Sequence, residues 1–246
     1  MPNIKRNPYE EYIQKHIPET IFFDLDKYSN LNTDLPHMLP DQITWNKILS
    51  SLGISKNDRI IIYDDSDVLS SCRCWYNFIY FGHNPKLVSV LDGGLKKWRS
   101  EKKLTTNNKT KIGKSKYKSQ ENKKMVKNKK QVDTNIIKKE FVVIDARNKE
   151  RFDGKVPDPR KNVRGGSIPN SICLPYKEIL NENNTFKNTI EISKKFNQLI
   201  DTKYNKIVFS CGSGVTASVL ALAYSLVNNK YSPTIYDGSW AEYGKI

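Results

Sequence analysis

The chain has 246 residues, enough for one or two domains with hydrophobic cores of their own. Lysine and arginine number 41 against 26 aspartate and glutamate, and a net charge of +15 ordinarily suggests a nucleic-acid or other anionic partner. Much of this surplus lies in residues 102–139, a polar, lysine- and asparagine-rich run that we interpret as a solvated linker. Because no nucleic-acid-binding motif accompanies the charge, we expect no nucleic-acid partner.

The four cysteines are unevenly spaced, which argues against a disulfide framework and favours a reducing compartment. We assign the cytoplasm, with the mitochondrion as the alternative. Cys72 and Cys74 stand two apart in a predicted helix with no second Cys or His pair nearby, and we interpret them as packing residues. No apolar run is long enough to span a bilayer and the first residues lack the apolar core of a secretory signal, so we expect no membrane partner.

Short β-branched runs alternate with helical patterns along the chain, which is typical of an α/β fold with parallel sheets. In the first half the predicted strands lie near 21–23, 60–63 and 88–91, and the predicted helices at 45–52 and 71–81. In the second half the predicted strands lie at 141–145, near 172, at 207–210 and at 234–236, and the predicted helices at 190–200 and 216–227.

The second half of the sequence repeats the first. DRIIIYD, ending at Asp64, aligns with NKIVFSC, ending at Cys211; LDGGLKKW aligns with YDGSWAEY, and HIP near the start aligns with SIP further along. Three anchors in one order indicate a duplicated domain, so we predict domains at 1–99 and 139–246 joined by a linker at 100–138. The first half has no counterpart of the strand at 141–145, and we expect the sequence to begin inside that domain, because a small domain can hardly spare a buried strand.

Cys211 ends an apolar strand and is followed by the glycine-bearing loop GSGVT at 212–216 and then an apolar helix. Loop N–H groups and the positive end of the helix favour an anionic sulfur, so this arrangement indicates a nucleophilic thiolate. A buried structural cysteine is the alternative, but it does not need glycines that let the backbone approach so closely. Asp64 stands at the equivalent position of the first half, which is then a non-catalytic copy able to lend groups across the domain interface.

The sequence CGSGVTA at 211–217 resembles the active-site loop of 3-mercaptopyruvate sulfurtransferases, two-domain members of the rhodanese superfamily. The resemblance covers nearly the whole chain through HIPETIFFDLD, PHMLP, LDGGLKKW, DARNKERFDG and DGSW. It implies an α/β protein of two tandem rhodanese-like domains, each a mostly parallel sheet flanked by helices. Thiosulfate-using members usually carry basic residues after the cysteine, whereas Gly212 and Ser213 are neutral, which favours the mercaptopyruvate type.

The resemblance also implies the roles of individual residues. Cys211 would carry a persulfide, and Ser213, His37 and Asp26 would form a relay that shapes proton transfer near the thiol. Two arginines would bind the carboxylate and keto oxygen of the donor, which suits the fork of a guanidinium. The predicted substrate-binding residues are Arg151, Arg160, Gly212, Gly214, Val215 and Thr216.

Several of these residues have ordinary alternative interpretations. His37 beside prolines could be a loop histidine, and Asp26 could be a helix cap. Arg147 and Arg151, four apart in a predicted helix, could be solvated surface charges, and Arg160 a loop charge.

The sequence departs from the family in two turns. Glu19 and Asn170 stand where the usual His-Ile-Pro-Gly stretch of each half has its glycine, and Ser167 replaces the second histidine. We expect these departures to affect turns more than chemistry.

The predicted function is transfer of sulfur from 3-mercaptopyruvate through Cys211 to a thiol such as thioredoxin or to cyanide, releasing pyruvate, with no metal or organic cofactor. A thiosulfate sulfurtransferase shares the fold and the persulfide and stays open as an alternative. A sulfur-relay or scaffold module without independent turnover is a second alternative, favoured by the basic linker. A cysteine phosphatase is disfavoured, because Ala217 stands where the C-x5-R loop requires arginine.

Overall fold

The structure is a computed structural model that describes residues 6–200 and 206–246. Short helices and strands alternate through both halves of the chain. They are α1 (Pro8–Gln14), α2 (Gln42–Ser51), β1 (Ile60–Ile62), α3 (Ser70–Tyr80), β2 (Val88–Val90), α4 (Gly94–Ser100), β3 (Val126–Lys127), α5 (Lys129–Lys138), β4 (Val142–Asp145), α6 (Lys149–Phe152), β5 (Ile172–Cys173), α7 (Thr189–Leu199), β6 (Ile207–Ser210), α8 (Val215–Val227), β7 (Ile235–Tyr236) and α9 (Ser239–Tyr243), with 3-10 turns at Pro85–Leu87, Lys123–Met125 and Tyr176–Ile179.

The second half is built on a five-stranded parallel sheet in the order β3-β7-β6-β4-β5. Its two central strands, VVID and IVFS, are buried at every position because both faces of the sheet are covered. Val142 and Ile144 of β4 face a large core with α7 and α8, and Val143 faces a smaller core with Trp240. All strands run the same way, so the residues that follow β4 and β6 meet at one edge of the sheet.

One hydrophobic core continues through both halves of the chain. Trp45, Phe78 and Phe81 of the first half belong to the same cluster of buried side chains as Phe209 and Leu220 of the second. Helix α3, which is buried along nearly its whole length, packs against α8. The start of α8, which follows Cys211, is therefore held against the first half of the chain.

The first half has a two-stranded parallel sheet, β1 and β2, within the described residues. The strand predicted near 21–23 is wrong, because this segment forms no ladder there and Phe23 instead packs edge-to-face on Trp45 at 5.9 Å between ring centroids. No strand equivalent to β4 occurs in the described part of this half. The fold class itself, an α/β protein with parallel sheets flanked by helices, is confirmed.

Residues 102–139 are not uniformly solvated, as the lysine-rich composition had suggested. β3 pairs with β7 at the edge of the second sheet, and α5 begins with a capping box formed by Asn128 and Gln131. Upstream, the chain lies extended on the first half, where the Tyr117 hydroxyl is 2.8 Å from His83 Nδ1. Alternate residues face the protein, so buried Tyr117 and Ser119 separate exposed lysines that carry the charge.

Cys72 and Cys74 are buried in α3, as their interpretation as packing residues predicts. Burial raises the pKa of both thiols, so they stay protonated near neutral pH. Within the described residues, no helix combines the length and hydrophobicity needed to cross a bilayer.

Candidate active site

Cys211 lies at the carboxyl end of β6, and its side chain is buried. The loop that carries it is fixed by Ser239, whose Oγ accepts hydrogen bonds from the N–H groups of Cys211 at 3.2 Å and Gly214 at 3.1 Å. Ser239 in turn donates to the Tyr236 carbonyl at 2.8 Å. Ser239 belongs to the DGSW motif, but its role in holding the loop was not visible from the sequence, because it depends on how α9 meets β6.

The turn from the cysteine into α8 depends on Gly214, which caps the helix with a left-handed φ of 79°. Its amide is bonded to Ser239, so Gly214 serves the conformation of the loop more than ligand binding. Among the described residues, the N–H groups of Gly212, Ser213, Val215, Thr216 and Ala217 donate to no loop or cap carbonyl. These N–H groups and the start of α8 make the loop suited to an anionic sulfur.

The structure brings together the three residues of the predicted relay. His37 Nδ1 lies 2.8 Å from Ser213 Oγ, and His37 Nε2 lies 2.9 Å from Asp26 Oδ1. An ionised carboxylate can only accept, so His37 Nε2 donates to Asp26, and in the neutral imidazole Nδ1 is then the acceptor for the Ser213 hydroxyl. The hydrogen bond from His37 holds the pKa of Asp26 below its ordinary value. The relay therefore crosses from the first half of the chain to the cysteine loop of the second.

Burial differs sharply along this relay. The His37 side chain is 8% exposed and that of Asp26 72%, so the relay leads from the cysteine loop to solvent. His37 also has a left-handed φ of 61°, a backbone conformation that costs energy for a residue with a side chain. The helix-cap alternative for Asp26 does not hold, since it is Asp24 that accepts the nearby N–H of Lys27, at 3.0 Å.

The two predicted arginines lie together and share one buried carboxylate, that of Asp158. Arg151 Nη2 donates to Asp158 Oδ2 at 2.6 Å, and Arg160 Nη1 is 3.2 Å from Asp158 Oδ1. Although burial raises the pKa of Asp158, the hydrogen bonds from Arg151 and from the Arg160 amide bring it below its ordinary value. Two guanidinium groups and one carboxylate leave this cluster with a single positive charge.

The arginine pair lies directly against the cysteine loop. A Cβ atom placed on Gly212 would be 3.1 Å from Arg160 Nη2 and 3.6 Å from Arg151 Nη2. The missing side chain at Gly212 thus gives both guanidinium groups access to the residue next to Cys211. Asp158 was missed by sequence reasoning, because one aspartate between two prolines carries no recognisable motif.

Arg147 does not lie on a solvated helix face, as one alternative had it. The helix begins only at Lys149, and Arg147 is buried and ion-paired with Asp145 at 2.7 Å while donating to the Gly166 carbonyl at 2.8 Å. The charge of Arg147 is therefore neutralised by Asp145 in the interior, and Arg147 is not available to a ligand.

The equivalent loop in the first half already holds an anion of its own. The Asp64 carboxylate accepts hydrogen bonds from the hydroxyls of Ser66, Ser70 and Ser71 and from the Ser71 N–H. Asp64 thus occupies this cradle with a fixed negative charge, and the first half contains no thiol at the position of Cys211.

A family model of the rhodanese-like domain matches residues 6–101 and again residues 128–245. The chain belongs to the rhodanese family. The two matches confirm the duplicated architecture that the internal repeat predicts. The second match begins at residue 128, close to the start of α5.

Relatives of this rhodanese protein are sulfurtransferases. The thiosulfate/3-mercaptopyruvate sulfurtransferase 1 of Arabidopsis thaliana is 37% identical over 264 residues, which cover 99% of this chain and 69% of the relative. The 3-mercaptopyruvate sulfurtransferase of Mus musculus is 34% identical over 245 residues, covering 99% of this chain and 82% of the relative. These matches confirm the resemblance carried by the cysteine loop and identify the chain as an enzyme of the sulfurtransferase class.

The fold also matches a solved structure of this kind. The crystal structure of SseA from Escherichia coli, described as a 3-mercaptopyruvate sulfotransferase, superposes with a TM-score of 0.85 at 31% identity. The match covers 97% of this chain and 88% of the other. The two-domain rhodanese architecture therefore holds in three dimensions as well as in sequence.

Proposed function

We propose that this rhodanese enzyme transfers sulfur from 3-mercaptopyruvate to a thiol or cyanide through a persulfide on Cys211, with release of pyruvate. The observation that carries the proposal is the singly positive arginine cluster against a cysteine loop that is itself neutral. A small keto acid with one carboxylate matches one net positive charge and a pair of guanidinium forks. The names of the relatives support the same donor.

In the first half-reaction, the Cys211 thiolate attacks the thiol sulfur of the donor. A bond forms between the two sulfurs while the bond from the donor sulfur to its carbon breaks, and the electron pair leaves toward the carbonyl as an enolate. Arg151 and Arg160 stabilise the developing negative charge. The proton on the transferred sulfur passes to the enolate carbon, so the products are pyruvate and a cysteine persulfide.

The relay orients the groups around this step. Ser213 donates to His37, and His37 donates to Asp26, so each hydroxyl or ring proton has a defined acceptor before substrate binds. A neutral imidazole with this orientation can exchange a proton through the Ser213 hydroxyl beside the reacting sulfurs. Asp26 fixes the tautomer and links the relay to solvent.

In the second half-reaction, the outer sulfur of the persulfide passes to an acceptor and the Cys211 thiolate returns. A thiolate or cyanide attacks the outer sulfur, the bond between the two sulfurs breaks, and its electron pair remains on Cys211. We propose a thiol acceptor such as thioredoxin. The cytoplasm is the proposed compartment, with the mitochondrion as the alternative.

Thiosulfate is the second candidate donor, because the Arabidopsis relative is named for thiosulfate as well as for 3-mercaptopyruvate. The ratio of the two donor activities on the purified chain separates these candidates. A Cys211→Ser protein tests the proposal as a whole: it should release no pyruvate from 3-mercaptopyruvate. Undiminished pyruvate release from that variant would overturn the assignment of Cys211.

A further inference from the structure

A buried ion pair joins the two halves of the chain directly behind the relay. Arg73, on α3 of the first half, is fully buried, and its Nη2 lies 2.7 Å from Asp237 Oδ1 in the second half. The same Nη2 donates to the His37 carbonyl at 2.7 Å, and the other oxygen of Asp237 accepts the N–H of Leu39 at 2.9 Å. The Arg73–Asp237 pair thus holds the backbone on both sides of Met38, and with it the residue that bears the relay imidazole.

The guanidinium of Arg73 also faces the cysteine loop. A Cβ atom on Gly214 would lie 2.6 Å from Arg73 Nη1, which means that the charged group packs against the bare backbone of that residue. Two of its nitrogens, Nε and Nη1, have no hydrogen-bond partner among the described residues. A buried arginine with unpaired N–H groups is costly for stability alone, and this cost points to a task beyond packing.

The internal repeat shows which part of this arrangement is special. Asp92 occupies the position of Asp237 in the first half, and it too reaches across the interface, where it accepts the N–H of Phe186 at 2.9 Å. Leu39 and Phe186 are as far apart in the sequence as Asp64 and Cys211, so the two contacts are equivalent.

Arg73 breaks this equivalence. It stands four residues after Leu69, the left-handed cap of α3, and the matching residue four after Gly214 in α8 is Ser218. Ser218 donates its hydroxyl to the Gly214 carbonyl at 2.9 Å, a contact within its own helix cap, and it has no cross-interface hydrogen bond among the described residues. The arginine therefore occurs only in the half that supplies His37.

We propose that Arg73, anchored by Asp237, is a positioning residue for the proton relay. It holds His37 in its left-handed backbone conformation and so keeps the imidazole on Ser213. Arg73 acts through His37 and not on the substrate. The inference rests on the proposed function only in assigning the relay a part in the chemistry at Cys211.

The test compares matched variants of the whole chain. Asp237→Ala removes the anchor of Arg73, and Asp92→Ala removes the equivalent interface contact that does not lead to His37. We expect Asp237→Ala to slow single-turnover pyruvate release roughly tenfold, with KM changed less than about twofold, because relay geometry and not donor binding is lost. Asp92→Ala should leave the rate within about twofold of the unmodified protein. An equal loss of rate in the two variants would show that the Arg73–Asp237 ion pair is an ordinary interface contact, and it would overturn the inference.

A second comparison separates positioning from structural support. In a Ser213→Ala background the relay is already broken, so adding Arg73→Gln should cause no further loss of rate, whereas Arg73→Gln alone should cause roughly a tenfold loss. Arg73→Lys keeps the charge and should recover part of the rate. Losses that add in the double variant would contradict the inference. If Arg73→Gln does not fold, Asp237→Asn in the same two backgrounds gives the same readout.

Both comparisons can be made without any sulfur donor by measuring the rate at which iodoacetamide alkylates Cys211 in the same variants. We expect the same non-additive pattern in this rate and in its dependence on pH. If no donor is turned over and the alkylation pattern holds, the proposed function fails and the positioning role stands. If turnover is normal and the alkylation pattern is additive, the positioning role fails.

Discussion

Replacing Asp158 by asparagine should change which sulfur donor the enzyme prefers. The Asp158 side chain is 1% exposed and lies between Arg151 and Arg160, so it sets the net charge that a donor meets beside Cys211. Asparagine keeps the shape and can still accept one hydrogen bond, but the cluster then carries two positive charges in place of one. A dianion such as thiosulfate gains more from this change than a keto acid with a single carboxylate.

The size of the effect follows from Coulomb's law. A donor bound on the far side of a guanidinium is about 7 Å from the Asp158 carboxylate, and at an effective dielectric constant of about 20 one extra unit charge there is worth about 2 kcal/mol. That energy corresponds to roughly a 30-fold change in the ratio of the two donor activities. Salt screens part of it, so we expect a shift of roughly 5- to 30-fold at low ionic strength.

The assay measures kcat/KM for thiosulfate and for 3-mercaptopyruvate on the same preparation. Arg151 and Arg160 are held less firmly in Asp158→Asn, which lowers kcat/KM for both donors. The ratio of the two values cancels this common loss and reports the effect of the added charge alone. Asp153→Asn is the matched control, because Asp153 is a nearby carboxylate whose ion pairs are with Lys149 and Lys155. An unchanged ratio in Asp158→Asn, or a shift toward 3-mercaptopyruvate, would refute the role of Asp158 in donor selection.

Three further predictions concern strain, packing and thiol reactivity. Glu19 has a left-handed φ of 62°, so Glu19→Gly should raise the free energy of unfolding measured by urea titration by about 0.5–1 kcal/mol. A lower free energy of unfolding in this variant would show that the backbone at Glu19 is not strained. Gly214→Ala should lower the free energy of unfolding by about 2–3 kcal/mol, because Gly214 has a φ of 79° and an added Cβ would clash with buried Arg73. Gly113 faces open space, so Gly113→Ala should change the free energy of unfolding by less than about 0.5 kcal/mol. Burial raises the pKa of Cys173 to about 11, so its alkylation should accelerate with pH up to that value, and mass mapping at pH 8 should find it slower than Cys211.

The second half of the fold was largely predictable from sequence, because its central strands are buried on both faces. Runs such as 142–144 and 207–209 are continuously apolar, and the strands and helices around them are predicted to within about a residue. The first half was less predictable. The apolar run at 21–23 resembles a strand, but strand formation depends on a ladder partner that a local pattern does not reveal.

The lysine-rich segment shows a second limit of composition. Val126 and Lys127 form a strand and Val132 is buried on α5, although their neighbours are mostly lysine and asparagine. A two-residue strand is defined by its partner β7, not by its own sequence. The charges lie on the exposed side of a segment that packs on the protein. A count of lysines therefore does not reveal that buried and exposed residues alternate along this segment.

The candidate site divides in the same way. The cysteine loop follows from a recognisable motif, and the two arginines, His37 and Asp26 follow from the resemblance to the family. Asp158 and Arg73 do not, since each matters through a contact made across distant parts of the chain: Asp158 by joining two guanidinium groups, Arg73 by meeting Asp237. A lone charged residue in the sequence carries no sign of such a partner.

The most direct test of the account is the mass of the protein after reaction with 3-mercaptopyruvate in the absence of an acceptor. We expect a gain equal to one sulfur atom, located on the peptide that contains Cys211, with release of one equivalent of pyruvate. A thiol or cyanide should then remove the added mass, and Cys211→Ser should show neither the gain nor the pyruvate. Pyruvate release without sulfur on Cys211, or sulfur on Cys173 in its place, would contradict transfer through a persulfide on Cys211.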